Sequence, residues 1–291
     1  MRNKLLAAVL IGAALIAAAG AVQAASPSPF PKAVRAGPPK FDQADPLADA
    51  VNSPSRSAEN RARDGARHPL ESLEFWGVGP SQTVLDVDPA GGYWAEILVP
   101  FEKATGGTYI GTGADLNDPA APEGFKAATR AFQAKWGVST VPFNLKSGPL
   151  APAGTVDFIM AGRTVHNWMW QDGMVDKAFA DFYAALRPGG VLAIEEHRAD
   201  PRAMIADARD GYVSEAFVIG AAQKAGFVLE SRSDINANPK DSKDHPFGVW
   251  SLPPTRRSAP AGQPANPAFD HSRFDAIGES DRMTLRFRKP G

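Results

Sequence analysis

The sequence predicts an open, doubly wound α/β fold, with seven strands in a mostly parallel sheet and helices on both faces. Three observations point there. From about residue 70 onward, short apolar runs alternate with amphipathic helical stretches, the pattern of a sheet built by helical crossovers. The first apolar run ends in a small-residue turn, Asp88-Pro89-Ala90-Gly91-Gly92, immediately before a helical stretch. The last two strand-like runs have no helix of their own between them, which predicts an antiparallel seventh strand.

The elements follow in order. Ala58 to Asp64 and Leu70 to Trp76 read as short helices, punctuated by Gly65 and His68-Pro69. Thr83 to Asp88 is a buried-strand run. Tyr93 to Ala104 is helical, with Trp94, Ile97, Leu98 and Phe101 recurring at i, i+3, i+4 and i+7 on one face. Thr108 to Thr112 is a second strand, Glu123 to Trp136 a helix, Thr140 to Phe143 a weak third strand and Val156 to Ala161 a fourth. Val175 to Leu186 is a helix stopped by Arg187-Pro188-Gly189-Gly190, and Val191 to Glu195 is a fifth strand. Ser214 caps a helix that ends at Gly226; Phe227 to Ser231 and Met283 to Arg288 complete the sheet.

Composition narrows the function. The chain has 291 residues, 44% hydrophobic and 22% charged, the balance of a globular protein. Its 31 basic and 32 acidic side chains give a net charge of −1, which removes the electrostatic ground for a nucleic-acid partner. With no cysteine, disulfides, thiolate metal sites and cysteine nucleophiles are excluded. Residues 1–24 read as a secretory signal: Arg2 and Lys4, then an apolar run from Leu5 to Ala19, then Val22-Gln23-Ala24. No second stretch is long enough to span a bilayer, so no stable membrane insertion is expected after cleavage, and the mature protein is expected to be exported to the periplasm. Residues 25–57 are proline-rich and read as a flexible lead-in that folding does not need. Residues 58–291 form the domain, with a proline-rich insertion at about 253–270.

Two nucleotide-loop templates compete for the turn after the first strand. The nicotinamide template places a tyrosine, Tyr93, where a packing glycine is needed. An acid followed by G-x-G-x-G falls on Asp86, then Asp88, Ala90 and Gly92, with the first glycine replaced by aspartate. Asp86 to Leu98 resembles the loop of class I S-adenosylmethionine-dependent methyltransferases. It is similar, more narrowly, to a family of exported bacterial predicted methyltransferases. The resemblance continues through Arg163-Thr164-Val165-His166-Asn167-Trp168-Met169-Trp170, Leu186 to Leu192, Glu196-His197-Arg198, Ile235 to Asp241 and Ile277 to Met283, and covers roughly residues 58–290.

That resemblance implies S-adenosyl-L-methionine as cofactor and a small-molecule substrate. Asp86, Asp88, Pro89, Ala90, Gly91 and Gly92 would face its methionine end, where backbone amides and the next helix N-terminus favour a carboxylate. Asp115 is the acid nearest the end of the second strand, for the ribose; Asn144 follows the third strand, for the adenine. Asp115 also fits an ordinary turn acid before Pro119, and Asn144 stands where an acid is more usual. Arg163, Asn167, Trp168 and Trp170 lie after the fourth strand and are candidates to hold substrate, or to pack as an aromatic lid. His166, His197 and Glu196 are the acid–base candidates, with a structural role open for either histidine. No metal is expected, since no histidine pair has helical ligand spacing. The competing function is an exported binding protein that keeps the fold without turnover.

Overall fold

Apolar runs and crossover helices assemble as their alternation predicts. The computed structural model describes residues 45–200 and 205–291. Along the chain run α1 (Pro46–Val51), α2 (Ala58–Arg61), α3 (Asp64–Arg67), α4 (Pro69–Trp76), β1 (Thr83–Val87), α5 (Ala95–Thr105) and β2 (Thr108–Gly113). There follow α6 (Glu123–Trp136), β3 (Ser139–Pro142), β4 (Val156–Gly162), α7 (Val165–Trp168), α8 (Met174–Ala185) and β5 (Leu186–His197). The chain ends with α9 (Glu215–Lys224), β6 (Val228–Ser233), β7 (Pro246–Val249), α10 (Ser272–Ile277) and β8 (Arg282–Arg288).

Seven of these strands form one sheet in the order β3-β2-β1-β4-β5-β8-β6. The first five are parallel, and β8 inserts antiparallel between β5 and β6. Strand β7 lies outside this sheet and has no counterpart in the sequence reading. Strand β5 also begins earlier than expected. Leu186 pairs with Val156 across an irregular register, so the Arg187-Pro188-Gly189-Gly190 segment extends the strand as well as ending α8. The face of α5 read from spacing is the buried one: Trp94, Ile97, Leu98 and Phe101 all enter the core. Among the described residues no helix is long and apolar enough to cross a membrane.

The expected signal at 1–24 and the first part of the lead-in lie outside the described residues. The rest of the lead-in is not the flexible chain that its prolines suggest. Asp45 caps α1, accepting from the amides of Leu47 and Ala48, and Pro46 sits in the first turn, where its missing N–H has no helical partner to lose. Leu47, Ala50 and Val51 are buried with Trp76 and Ile97. Arg56, fully buried, pairs with both carboxylate oxygens of Asp64 at 2.7 Å. Ser57 donates to Glu96 of α5 from its amide and its hydroxyl. Prolines at positions that tolerate them do not prevent a helix; the i, i+3, i+4 spacing of Leu47, Ala50 and Val51 was the informative signal.

Candidate active site

The turn after β1 departs from glycine at its first position yet keeps the backbone a glycine would allow. Asp88 has φ of +50°, in the left-handed region that costs a side-chain-bearing residue about 1 kcal/mol or more. Its amide donates to Thr112 Oγ1 at 2.8 Å, and its Oδ2 accepts from Thr164 Oγ1 at 2.6 Å and Trp168 Nε1 at 3.3 Å. Asp88 thus ties the β1 turn to the segment leaving β4. Gly91 and Gly92 follow with φ of +74° and +68°. A Cβ on Gly91 would have no neighbour within 4 Å, so the backbone there is open to approach. A Cβ on Gly92 would meet the Trp136 ring at 3.4 Å; that glycine serves packing, not ligand access. Pro89 packs toward Gly111 of β2, and Ala90 contributes backbone to the same short turn.

The other expected cofactor residues are less available. Asp86 is buried and accepts from the Tyr109 hydroxyl at 2.7 Å. Burial, with Asp88 nearby, pushes its carboxyl up to about 7 despite that hydrogen bond. It faces a neighbouring strand and not a cleft. Asp115 closes its own turn on the amide of Asn117, and Asn144 does the same with Lys146. Both are half-buried, and each commits one side-chain oxygen locally.

At the ends of β4 and β5 the side chains converge. Gly162 of β4 pairs with Glu195 of β5, so the segments after them leave side by side. His166 on α7 is buried, and its Nδ1 lies 3.0 Å from Glu196 Oε1. Glu196 also accepts from the amides of His166 and His197, at 3.2 and 2.7 Å. A carboxylate only accepts, so this pairing places a proton on His166 Nδ1, and in the neutral ring Nε2 is then the acceptor. The His197 ring stands 5.4 Å from that of His166, with its Nδ1 2.5 Å from Ser280 Oγ. Burial, then His166, Arg163 and Arg282, hold His197 well below the usual histidine range, so it stays neutral.

These groups border a cavity of about 680 Å³, whose walls include Asp88, Arg163, His166, Asn167, Trp170 and His197. Trp168 does not reach it: its ring is buried against Phe143, Phe179 and Phe182, so of the two tryptophans only Trp170 is placed to meet a substrate. The far wall comes from residues to which the sequence reading gave no role. Trp250, Arg257 and Pro254 bring the insertion after β7 over the site, and Glu279 and Ser280 precede β8. The polar segment from Asn236 to His245 is an anchored clamp, although its composition suggests a solvated loop. Asn238 donates to the carbonyls of Ile277 and Glu279, and Asp241 accepts from Tyr212, His245 and the Asp281 amide. Glu279 is fixed besides by Arg63, Arg67 and Arg282.

His166, Glu196 and His197 each offer a ligand-type atom within 4.8 Å of the others, a grouping across two strand ends that linear spacing does not reveal. The three hydrogen bonds already on Glu196 make it the group that orients the histidines.

No family model and no curated protein matches the chain. Solved structures do. The [4+2]-cyclase SpnF is 15% identical, with 84% of this chain and 92% of that one covered at a TM-score of 0.50. A S-adenosylmethionine-dependent methyltransferase from Aquifex aeolicus is 18% identical, covering 67% and 94%, at 0.45. Geranyl diphosphate C-methyltransferase from Streptomyces coelicolor A3(2), solved with S-adenosylhomocysteine, is 17% identical, covering 82% and 87%, at 0.47. The seven-stranded sheet with its antiparallel β8 has the order expected of the class I methyltransferase type, and the likeness to SpnF shows the fold alone. A cyclase among the neighbours shows that this fold alone does not set the reaction.

Proposed function

We propose that this chain is an exported enzyme that transfers a methyl group from S-adenosylmethionine to an oxygen or nitrogen of a small molecule. The observation that carries this reading is the placement of His166, oriented by Glu196, on the same cavity as Asp88 at the end of β1. Export rests on residues 1–24 of the sequence.

The residues present fit the cofactor. Gly91 leaves backbone open where a ligand must come close, and the carboxylate of Asp88 suits a group that carries an ammonium and a sulfonium. Gly91 and Asp88 would hold the methionine end, with Asp115 and Asn144 toward the ribose and adenine. When bound, the cofactor supplies an electrophilic methyl on a sulfonium. The protein's own part is positioning and proton removal. Thr164 and Trp168 fix Asp88; Glu196 fixes the tautomer of His166; His166 Nε2 takes the proton from the attacking oxygen or nitrogen. His197, held neutral, adds no charge against that proton.

The competing reading is a binding protein of the same fold without turnover. Calorimetry of the purified protein against S-adenosylmethionine, S-adenosylhomocysteine and NAD tests the cofactor assignment. Binding of the first two and not the third supports it; binding of NAD alone overturns it. Methyl transfer to any acceptor separates the enzyme from the binding protein.

A further inference from the structure

The cavity is lined by two indoles, each with one guanidinium of the protein over its ring. Trp170 and Trp250 stand 5.9 Å apart between centroids, and each lies under 6 Å from the ring of His166. The guanidinium of Arg209 sits 5.4 Å from the centre of the Trp170 ring, and that of Arg257 sits 4.8 Å from the centre of the Trp250 ring. A bare aromatic cage would attract a cationic ligand. Here the guanidinium groups occupy that role, so a ligand entering between the indoles meets positive charge. Of the two acids on the walls, Glu279 is balanced by three arginines, and Asp88, whose charge neither Thr164 nor Trp168 removes, sits at the end of β1. Arg209 has an exposed partner in Asp207, whereas among the described residues Arg257 has no acidic partner.

From this arrangement we infer the substrate class: a planar aromatic acid carrying a hydroxyl. Its ring lies along Trp170 and Trp250, its carboxylate pairs with Arg257, and its hydroxyl reaches His166 Nε2. The planar, doubly donating guanidinium suits a carboxylate, and the flat indoles suit a ring. A single-ring acid is well within the range of ligands that such a cavity encloses. The hydroxyl end of this proposal rests on the methyl-transfer reading; the binding of the acid does not.

The test is therefore binding without cofactor. Calorimetry with the three hydroxybenzoate isomers and 4-hydroxycinnamate, with methyl 4-hydroxybenzoate as the uncharged control and benzyltrimethylammonium as the cationic one, compares the full-length mature protein with Arg257→Gln, Arg257→Lys and Trp250→Leu. At least one acid binds, its tightest member at least tenfold better than the ester or the ammonium. Arg257→Gln lowers the acid's affinity at least tenfold and leaves the ester unchanged, Arg257→Lys restores part of it, and Trp250→Leu weakens acid and ester alike. The proposal is overturned if no acid binds at millimolar concentration, if ester or ammonium binds as well as the acid, or if Arg257→Gln leaves acid affinity unchanged. An acid that binds but is never methylated leaves the site intact and counts against the methyl-transfer reading alone.

Discussion

On the β1–β2–β3 side of the sheet the polar groups are committed locally, while on the β4–β5 side they converge on open space. Asp86 bonds Tyr109 on the next strand, and Asp115 and Asn144 each close a turn only two residues long. Across the sheet His166, held by Glu196 30 residues away, lines one cavity with Asp88, Arg163 and Ser280. The difference teaches that a strand-end acid is not by itself a ligand group. What it bonds to within its own turn decides how much of it is left for a ligand.

The contrast is broken most severely at His166. His166→Ala is expected to lower turnover about 10²–10⁴-fold, the usual contribution of a positioned base, with cofactor affinity unchanged. Side-by-side kinetics and calorimetry check this; equal losses in both would place His166 on the cofactor side and erase the division.

A second comparison sets residues 45–57 against the insertion after β7. Both are proline-rich, yet the first is core and the second is cavity wall. Removing residues before Ser57 uncovers the surface that Leu47 and Val51 bury, worth roughly 1.5–3 kcal/mol each, and strips Arg56 from Asp64. A chain starting at Ser57 is therefore expected to melt about 10 °C or more below one starting at Asp45. A difference of a degree or two in thermal unfolding would mean that α1 contributes nothing to the core.

The smallest expected effect is at Asp86, and it sharpens the first contrast. Burial raises its carboxyl from 3.8 to about 7. Between those values the unfolded chain has lost the proton and the folded chain keeps it. The stability lost through this group is thus absent at low pH and grows as pH rises from about 4 through about 7. Asp86→Asn keeps an acceptor for Tyr109 without the charge, so it should stabilise by on the order of 2–4 kcal/mol at pH 8 and by little at pH 4. Melting curves at the two pH values decide it: the same difference at both would show that Asp86 is not held protonated by burial.

Much of this architecture was legible in the sequence because it depends on short-range period. The helix face of Trp94, Ile97, Leu98 and Phe101 and the strand runs before and after it needed no knowledge of the rest of the chain. The pairing of His166 with Glu196 was accessible too, through topology, since neighbouring parallel strands deliver their ends to one place. What stayed hidden depends on long-range contact. Trp136 covering Gly92, Trp168 turning into the core and Trp250 with Arg257 closing the cavity are set by packing between distant segments. The Asn236–His245 clamp was hidden for a different reason: its polar residues bond to backbone and to buried acids, so their composition imitates a solvated loop.

The central claim is that an open backbone at Gly91 and a base at His166 serve two separate tasks at one site. Calorimetric titration with S-adenosylhomocysteine of the unsubstituted protein, Gly91→Val and His166→Ala tests it most directly. A β-branched side chain at a φ of +74° both strains the turn and fills the open approach, so circular dichroism must show that the variant is folded. The account predicts one-to-one binding by the unsubstituted protein and by His166→Ala, with at least a hundredfold loss in folded Gly91→Val. Absence of binding to the unsubstituted protein, or undiminished binding to Gly91→Val, would contradict it.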